Sequence, residues 1–376
     1  MVPPCSEPIP VLGARHDQIN EGRGHESFRW DNRKNFTIPS DRSYEGLLVE
    51  AQATSAGAAF DHFLPVAKRS APDFISNPLL LSLIIILYSK TRDIPDERAK
   101  LYEACSQLMF DRWDSYRDIR PDLPEKHSLF PLLSFLARKV HTDPQLGGRF
   151  SKRELEKAVE DFFVAGFRGE GNVRARSVAA AFVAHLVERA WILREVGQEE
   201  FEFAHRTFQD YFFARDLDDR FDLQDLFVET MPRLADWFVP TQLALQMKTH
   251  LKREQSDKAA RLLVQELQNG PRGDAISARF CASTIEFLQP SHAEMRELTC
   301  AIVRCLSKDT QEEALQSFAR VRSSLREPVF LGMGEGLAAV AQADEVGDAP
   351  MASLRVQEGQ MSFESPGVVV RSLYGS

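Results

Sequence analysis

Cysteine is scarce and unpatterned in this chain. Cys5, Cys105, Cys281, Cys300 and Cys305 are the only five, an odd number, and no two are spaced as C-x-x-C. That excludes a disulfide framework and a zinc-ribbon or thioredoxin-type motif, and it suits reduced thiols in a cytoplasmic protein. Long apolar runs are missing too. The greasiest stretch, 78–88 (PLLLSLIIILY), is too short to span a bilayer and reads as a helix buried inside a bundle. The first residues lack a basic segment followed by an apolar one, so no signal peptide is expected. No Gly-Lys dipeptide occurs, which excludes a phosphate-binding P-loop within these residues. The Gly-rich stretch 166–171 follows a helical pattern rather than a strand and carries Glu170 where phosphate would sit. No pair of histidines brackets a glutamate at metal-ligand spacing, and no G-x-S-x-G elbow occurs. No metal site, catalytic residue or enzymatic activity is expected.

What is present is an acidic, globular composition, with net charge −9 and 27% charged residues. Such a balance disfavours broad nucleic-acid binding. Residues 1–45 show no helical or strand period and read as loop-rich. Helical spacing then begins and holds to about residue 124. Asn77-Pro78 pairs a good N-cap with a proline suited to the first helical position. A helix over 96–117 and another over 128–141 follow. Ser151 and Glu154 have the spacing of a capping box and start a further helix. A helix over 177–190 leads into two short strands around Gly197, and an aromatic-rich helix follows from Thr207. Three helices closed by a two-stranded wing predict a winged helix over 125–221. Beyond it, helical pieces over 222–340, broken at Pro232, Pro240, Gly270-Pro271 and Pro290, predict an antiparallel array. Residues 341–376 read as a flexible tail. The expected fold is mostly α: a helical domain, a winged helix with a single β-hairpin wing as the chain's only β signal, and a C-terminal antiparallel helical array.

Two residues are candidate site residues. Alternation along 201–205 places His205 on the same face as Phe201 and Phe203. It is either a satisfied core histidine or a group that meets an anion in a cleft. Pro78 is explained as a helix start, and a ligand-facing role stays open beside that. The wing holds Glu195, Glu199, Glu200 and Glu202 against Arg194, and the helix over 152–163 carries more acid than base. Phosphate contacts need the opposite sign, so DNA binding is disfavoured.

Three segments resemble the NACHT family of signal-transduction NTPases, in the region after the catalytic core. They are 76–84 (SNPLLLSLI), 94–102 with 111–114 (IPDERAKLY, DRWD), and 203–214 (FAHRTFQDYFFA). The likeness covers roughly residues 60–217. It implies that the helical domain over 46–124 and the winged helix close over a nucleotide held by a P-loop core. It also implies that Pro78 lies against the adenine and that His205 reaches the β-phosphate of ADP. Asp210 stands where Glu is more usual, and Ala214-Arg215 replaces a pair of small residues.

The P-loop and the Mg²⁺-binding acidic strand would lie upstream of Phe60. The chain is therefore expected to be the regulatory arm alone, whether a fragment, one half of a split gene or a degenerate relative. ADP or ATP would bind only together with the missing core, and the partner would be that core or another protein. No membrane partner and no nucleic acid are expected. The competing readings are a self-standing helical scaffold that binds a protein, and a winged-helix DNA binder.

Overall fold

The structure is a computed structural model. It describes residues 63–64, 67, 72–75, 77–91, 93–95, 97–112, 126–166, 172–188, 193–197, 199–269, 275–307, 310–344, 353–357, 360–365 and 368–372. The expectations for residues 1–45, Phe60, Trp113 and the loop 167–171 lie outside them. The described residues are mostly helical, with two small antiparallel sheets.

Helix α1 is Pro72–Ile75, α2 is Pro78–Thr91 and α3 is Arg98–Arg112. After a 3-10 turn come α4, Leu129–Thr142, then strand β1, Phe150–Ser151, α5, Lys152–Gly166, and α6, Asn172–Glu188. Strands β2, Leu193–Glu195, and β3, Glu200–Phe203, lead into α7, Arg206–Arg220. The sheet order is β1-β3-β2, with Phe150 opposite Phe201 and Leu193 opposite Phe203. The capping box forms as the spacing requires. The Ser151 amide donates to Glu154 Oε2 at 2.8 Å, and the Glu154 amide donates back to Ser151 Oγ at 3.3 Å.

Helix α7 occupies the middle of this part. Phe208, Tyr211, Phe212, Phe213, Ala214 and Leu217 are all buried, as are its acidic Asp210 and Asp216. Tyr102 of α3 stacks on Tyr211 at 5.6 Å between ring centres and meets Phe74 of α1 at 4.7 Å. On other sides Phe130 of α4 packs on Phe212, and Trp237 on Phe213. Each such ring contributes about 1.5–3 kcal/mol by leaving water.

Helices α8, Leu223–Thr230, α9, Leu234–Thr249, α10, Arg253–Asn269, α11, Ala275–Thr284, α12, His292–Cys305, α13, Gln311–Arg320, and α14, Arg326–Asp344, follow. They share a core that includes Leu245, Leu263, Phe280, Ile302, Phe318 and Met333.

The break expected at Pro240 forms as a kink at Trp237, which takes non-helical angles (φ −111, ψ 21), so α9 is two helical pieces with the buried Pro240 in the first turn of the second. A further break falls at His250 and Leu251, the latter in the left-handed region. Other expectations need correction. Helix α2 is not enclosed all round, since Ile85 is 39% exposed. The wing is not the chain's only β structure. Strand β1 joins it, and strands β4, Ser353–Gln357, β5, Gln360–Ser365, and β6, Val368–Ser372, form an antiparallel sheet where a flexible tail was expected.

Helix α14 forms although Gly332, Gly334 and Gly336 sit in its middle and glycine disfavours helix. Two of the three have a packing reason. A Cβ on Gly332 would run into the Arg296 carbonyl and lie 2.8 Å from Thr299 Cβ, and one on Gly336 would lie 2.8 Å from Val303 Cβ. Glycine lets α12 and α14 pack backbone to backbone. Around Gly334 there is nothing within 4 Å. Gly332→Ala should therefore destabilise by about 1–3 kcal/mol. Gly334→Ala should be neutral or stabilising by ~0.5–1 kcal/mol. Urea unfolding of the two variants side by side checks the contrast, and equal effects would refute close helix packing as the reason for Gly332.

Candidate functional site

Pro78 and His205 come from distant parts of the chain and are joined through one side chain. Asn77 precedes Pro78 and caps α2. Its Oδ1 accepts from the amides of Leu79 at 3.0 Å and Leu80 at 3.2 Å. With the oxygen so engaged, the amide nitrogen faces away from the helix. Nδ2 lies 3.1 Å from Nε2 and 3.4 Å from Nδ1 of His205. Pro78 itself is half-buried beside this contact.

His205 is not part of the strand. Strand β3 ends at Phe203, and His205 is the N-cap residue of α7, with extended backbone (φ −139, ψ 130). Its side chain makes no cap hydrogen bond, while its carbonyl accepts from the amides of Phe208 and Gln209 and starts the helix. The imidazole is thus left to reach Asn77. Phe201 and Phe203 are buried, as the alternation required, whereas His205 is only half-buried. Burial, with the nearby Arg194 charge, lowers its pKa below the ordinary histidine value. The neutral ring keeps a lone pair for a donor such as the Asn77 amide.

Asp210, one turn further along α7, turns to a different partner. Its carboxylate is nearly buried and lies 3.3 Å from His141 Nε2 on α4, and Arg206 approaches at 3.9 Å. The His141 ring stacks on Phe213 and also meets Gln209 at 3.2 Å. Asp210 therefore ties α7 to α4 rather than adding to the Asn77–His205 contact. Asn77 and His141 are the two residues that sequence reasoning missed. Asn77 was visible only as a cap, and nothing in the local pattern marks His141.

The wing's basic side chains are engaged by its own acids. Arg149 meets Glu202 at 3.1 Å and Glu200 at 3.4 Å, Arg194 meets Glu202 at 2.5 Å, and Lys152 meets Glu199 at 3.5 Å. Burial raises the Glu202 pKa, but hydrogen bonds and charge from Arg194 and Arg149 outweigh it and leave the net value low. Among the described residues, no group of three His, Cys, Asp or Glu side chains could hold a metal ion. No helix among them is long and apolar enough to cross a membrane. Comparison with protein-family models, with curated proteins and with solved structures finds no match.

A histidine whose folded pKa is lowered binds fewer protons folded than unfolded. Its cost to stability is absent above the ordinary value of about 6.5 and grows as pH falls through it toward the folded pKa. His205→Gln removes that titration. Relative to the variant, the wild type should lose stability between pH 7.5 and 5.5, read from urea midpoints at both pH values. A constant difference between the two proteins would contradict it.

Proposed function

We propose that this chain is the regulatory arm of a NACHT-type signalling NTPase, a helical domain and a winged helix that act on a nucleotide held by a P-loop core. The observation that carries the reading is the contact of Asn77 with His205. The two residues that the resemblance assigns to adenine and phosphate lie far apart in sequence, and the side chain of Asn77, the residue before Pro78, reaches the His205 ring at 3.1 Å. Further support comes from topology. Helices α4, α5 and α6 with a β1-β3-β2 sheet have the connectivity expected of a winged helix. The packed helices α8 to α14 suit a sensing array.

The part-open face of α2 also fits this role. Ile85 is exposed, and Leu81 and Ile86 are partly so, on the helix that starts at Pro78. An apolar surface beside a ligand-facing proline suits docking of another domain. In this reading the P-loop lysine and the metal ligands on which phosphoryl transfer depends belong to the core, so hydrolysis is the core's work and not the arm's. His205 supplies one polar contact to a phosphate, and the core supplies the rest. The acidic, internally paired wing weighs against DNA as the partner.

The test is an ADP titration of the isolated chain. Calorimetry should give no heat of binding at micromolar nucleotide. Millimolar ADP should shift the His205 imidazole resonances in wild type, and the accompanying shifts in the first turn of α2 should vanish in His205→Ala. Micromolar binding would mean that a complete nucleotide site exists on this chain and would overturn the arm-only reading. Unmoved His205 resonances at millimolar ADP would overturn its assignment as a phosphate contact.

A further inference from the structure

A second cluster lies away from His205, where α3 begins and α9 ends. Glu97 is the residue that starts α3, its carbonyl accepting from the Leu101 amide at 2.9 Å. Lys100 lies in the first turn. His250 closes α9, its amide donating to the Gln246 carbonyl at 3.0 Å. The His250 ring bridges the other two side chains. Nδ1 contacts Glu97 Oε1, and Nε2 lies 2.6 Å from Lys100 Nζ. A carboxylate thus orients an imidazole, the imidazole's other nitrogen meets an amine, and the second carboxylate oxygen lies 3.9 Å from that amine.

The frame around the three groups is fixed. Gln246 Oε1 accepts from the buried Ala99 amide at 3.3 Å, and Gln242 Oε1 accepts from Arg98 at 3.5 Å. Both glutamines belong to α9 and are buried, so the start of α3 is stapled to the helix that carries His250. Catalytic constellations need this kind of rigid support. Glu97 holds the proton on Nδ1 and leaves Nε2 as the acceptor that faces the lysine. Burial, with the charges of Lys100 and Arg322, lowers the His250 pKa despite the opposing Glu97, so the ring stays neutral and Nε2 keeps its lone pair toward the lysine.

We propose that Glu97, His250 and Lys100 form an activated-lysine site, in which Lys100 is a nucleophile toward anionic acyl donors of the acyl phosphate class. Nucleophile, base and orienting acid within hydrogen-bond reach are the general mark of an activated nucleophile. His250 Nε2 takes one proton from the Lys100 ammonium. The freed amine attacks the acyl carbonyl carbon, a C–N bond forms and the bond from that carbon to the phosphate oxygen breaks. The second amine proton leaves with the phosphate, and the product is an amide at Lys100. The exposed Arg322, whose charge reaches His250, favours a donor that carries negative charge. The same amide formation removes the lysine charge and breaks its contact with His250, so modification would alter the α3–α9 junction.

Lys152 provides the internal comparison. Its side chain is 51% exposed, as is that of Lys100, and it too faces a glutamate, Glu199, but with no imidazole beside it. The whole chain incubated with acetyl phosphate, followed by peptide mass spectrometry, should show Lys100 acetylated about a hundred-fold faster than Lys152, the lower end of the range for base assistance. His250→Gln and Glu97→Gln should each bring Lys100 down to the rate of Lys152, with thermal melting to show that the fold is kept. Equal rates at the two lysines in wild type would overturn the proposal without any variant. So would an undiminished Lys100 rate in either folded variant. No outcome depends on whether the chain contacts nucleotide.

Discussion

Burial of α7 is the constraint from which the first two-thirds of the structure follows. The helix begins at His205, directly after the wing strand, and spends almost every position in contact with another element. Its aromatic residues meet α3 through Tyr102, α4 through Phe130 and His141, and α9 through Trp237. The aromatic positions of such a helix are stable only where other elements cover them. Of its two buried carboxylates, Asp216 pairs with Arg138 and Arg220, since an unpaired buried charge is costly, while Asp210 lies beside His141 and Arg206. The chain on either side is obliged to wrap around it.

That arrangement gives the Asn77–His205 contact its meaning. The Tyr102–Tyr211 stack and the α3–α9 staples fix where the N-terminal helices sit against α7. The cap of α2 then meets the first residue of α7. Asn77 serves both ends of the contact, with its oxygen bound to the helix it starts and its nitrogen turned to the imidazole. The same packing places Lys100 against His250. Two polar clusters are thus consequences of one hydrophobic arrangement, and each joins elements more than a hundred residues apart.

Much of the secondary structure was legible because it is locally encoded. Asn77-Pro78, the Ser151–Glu154 box and the alternation through Phe201 and Phe203 each carry their own physical reason, and each forms. The kink at Trp237 just before Pro240 is local too, because a proline disfavours the helical turn that precedes it. Packing decides where local propensity does not: Gly332 and Gly336 sit in a helix because α12 lies against them, and tertiary contact overrides glycine's poor helix propensity. The C-terminal strands did leave a trace in the sequence. Gly359 and Pro366-Gly367 are turn-favouring residues at the right interval, but the surrounding alternation is weak.

By itself the sequence determined the helical character, the β-hairpin around Gly197, the caps, and the two residues, Pro78 and His205, around which the functional reading turns. These are set by neighbours a few positions away, through periodicity, capping and turn chemistry. Only the tertiary structure decided that Asn77 touches His205, that Asp210 turns to His141, and that Glu97, His250 and Lys100 meet. Such contacts depend on where whole helices come to rest, which is fixed by the summed burial of side chains from every element and is written in no single stretch of chain.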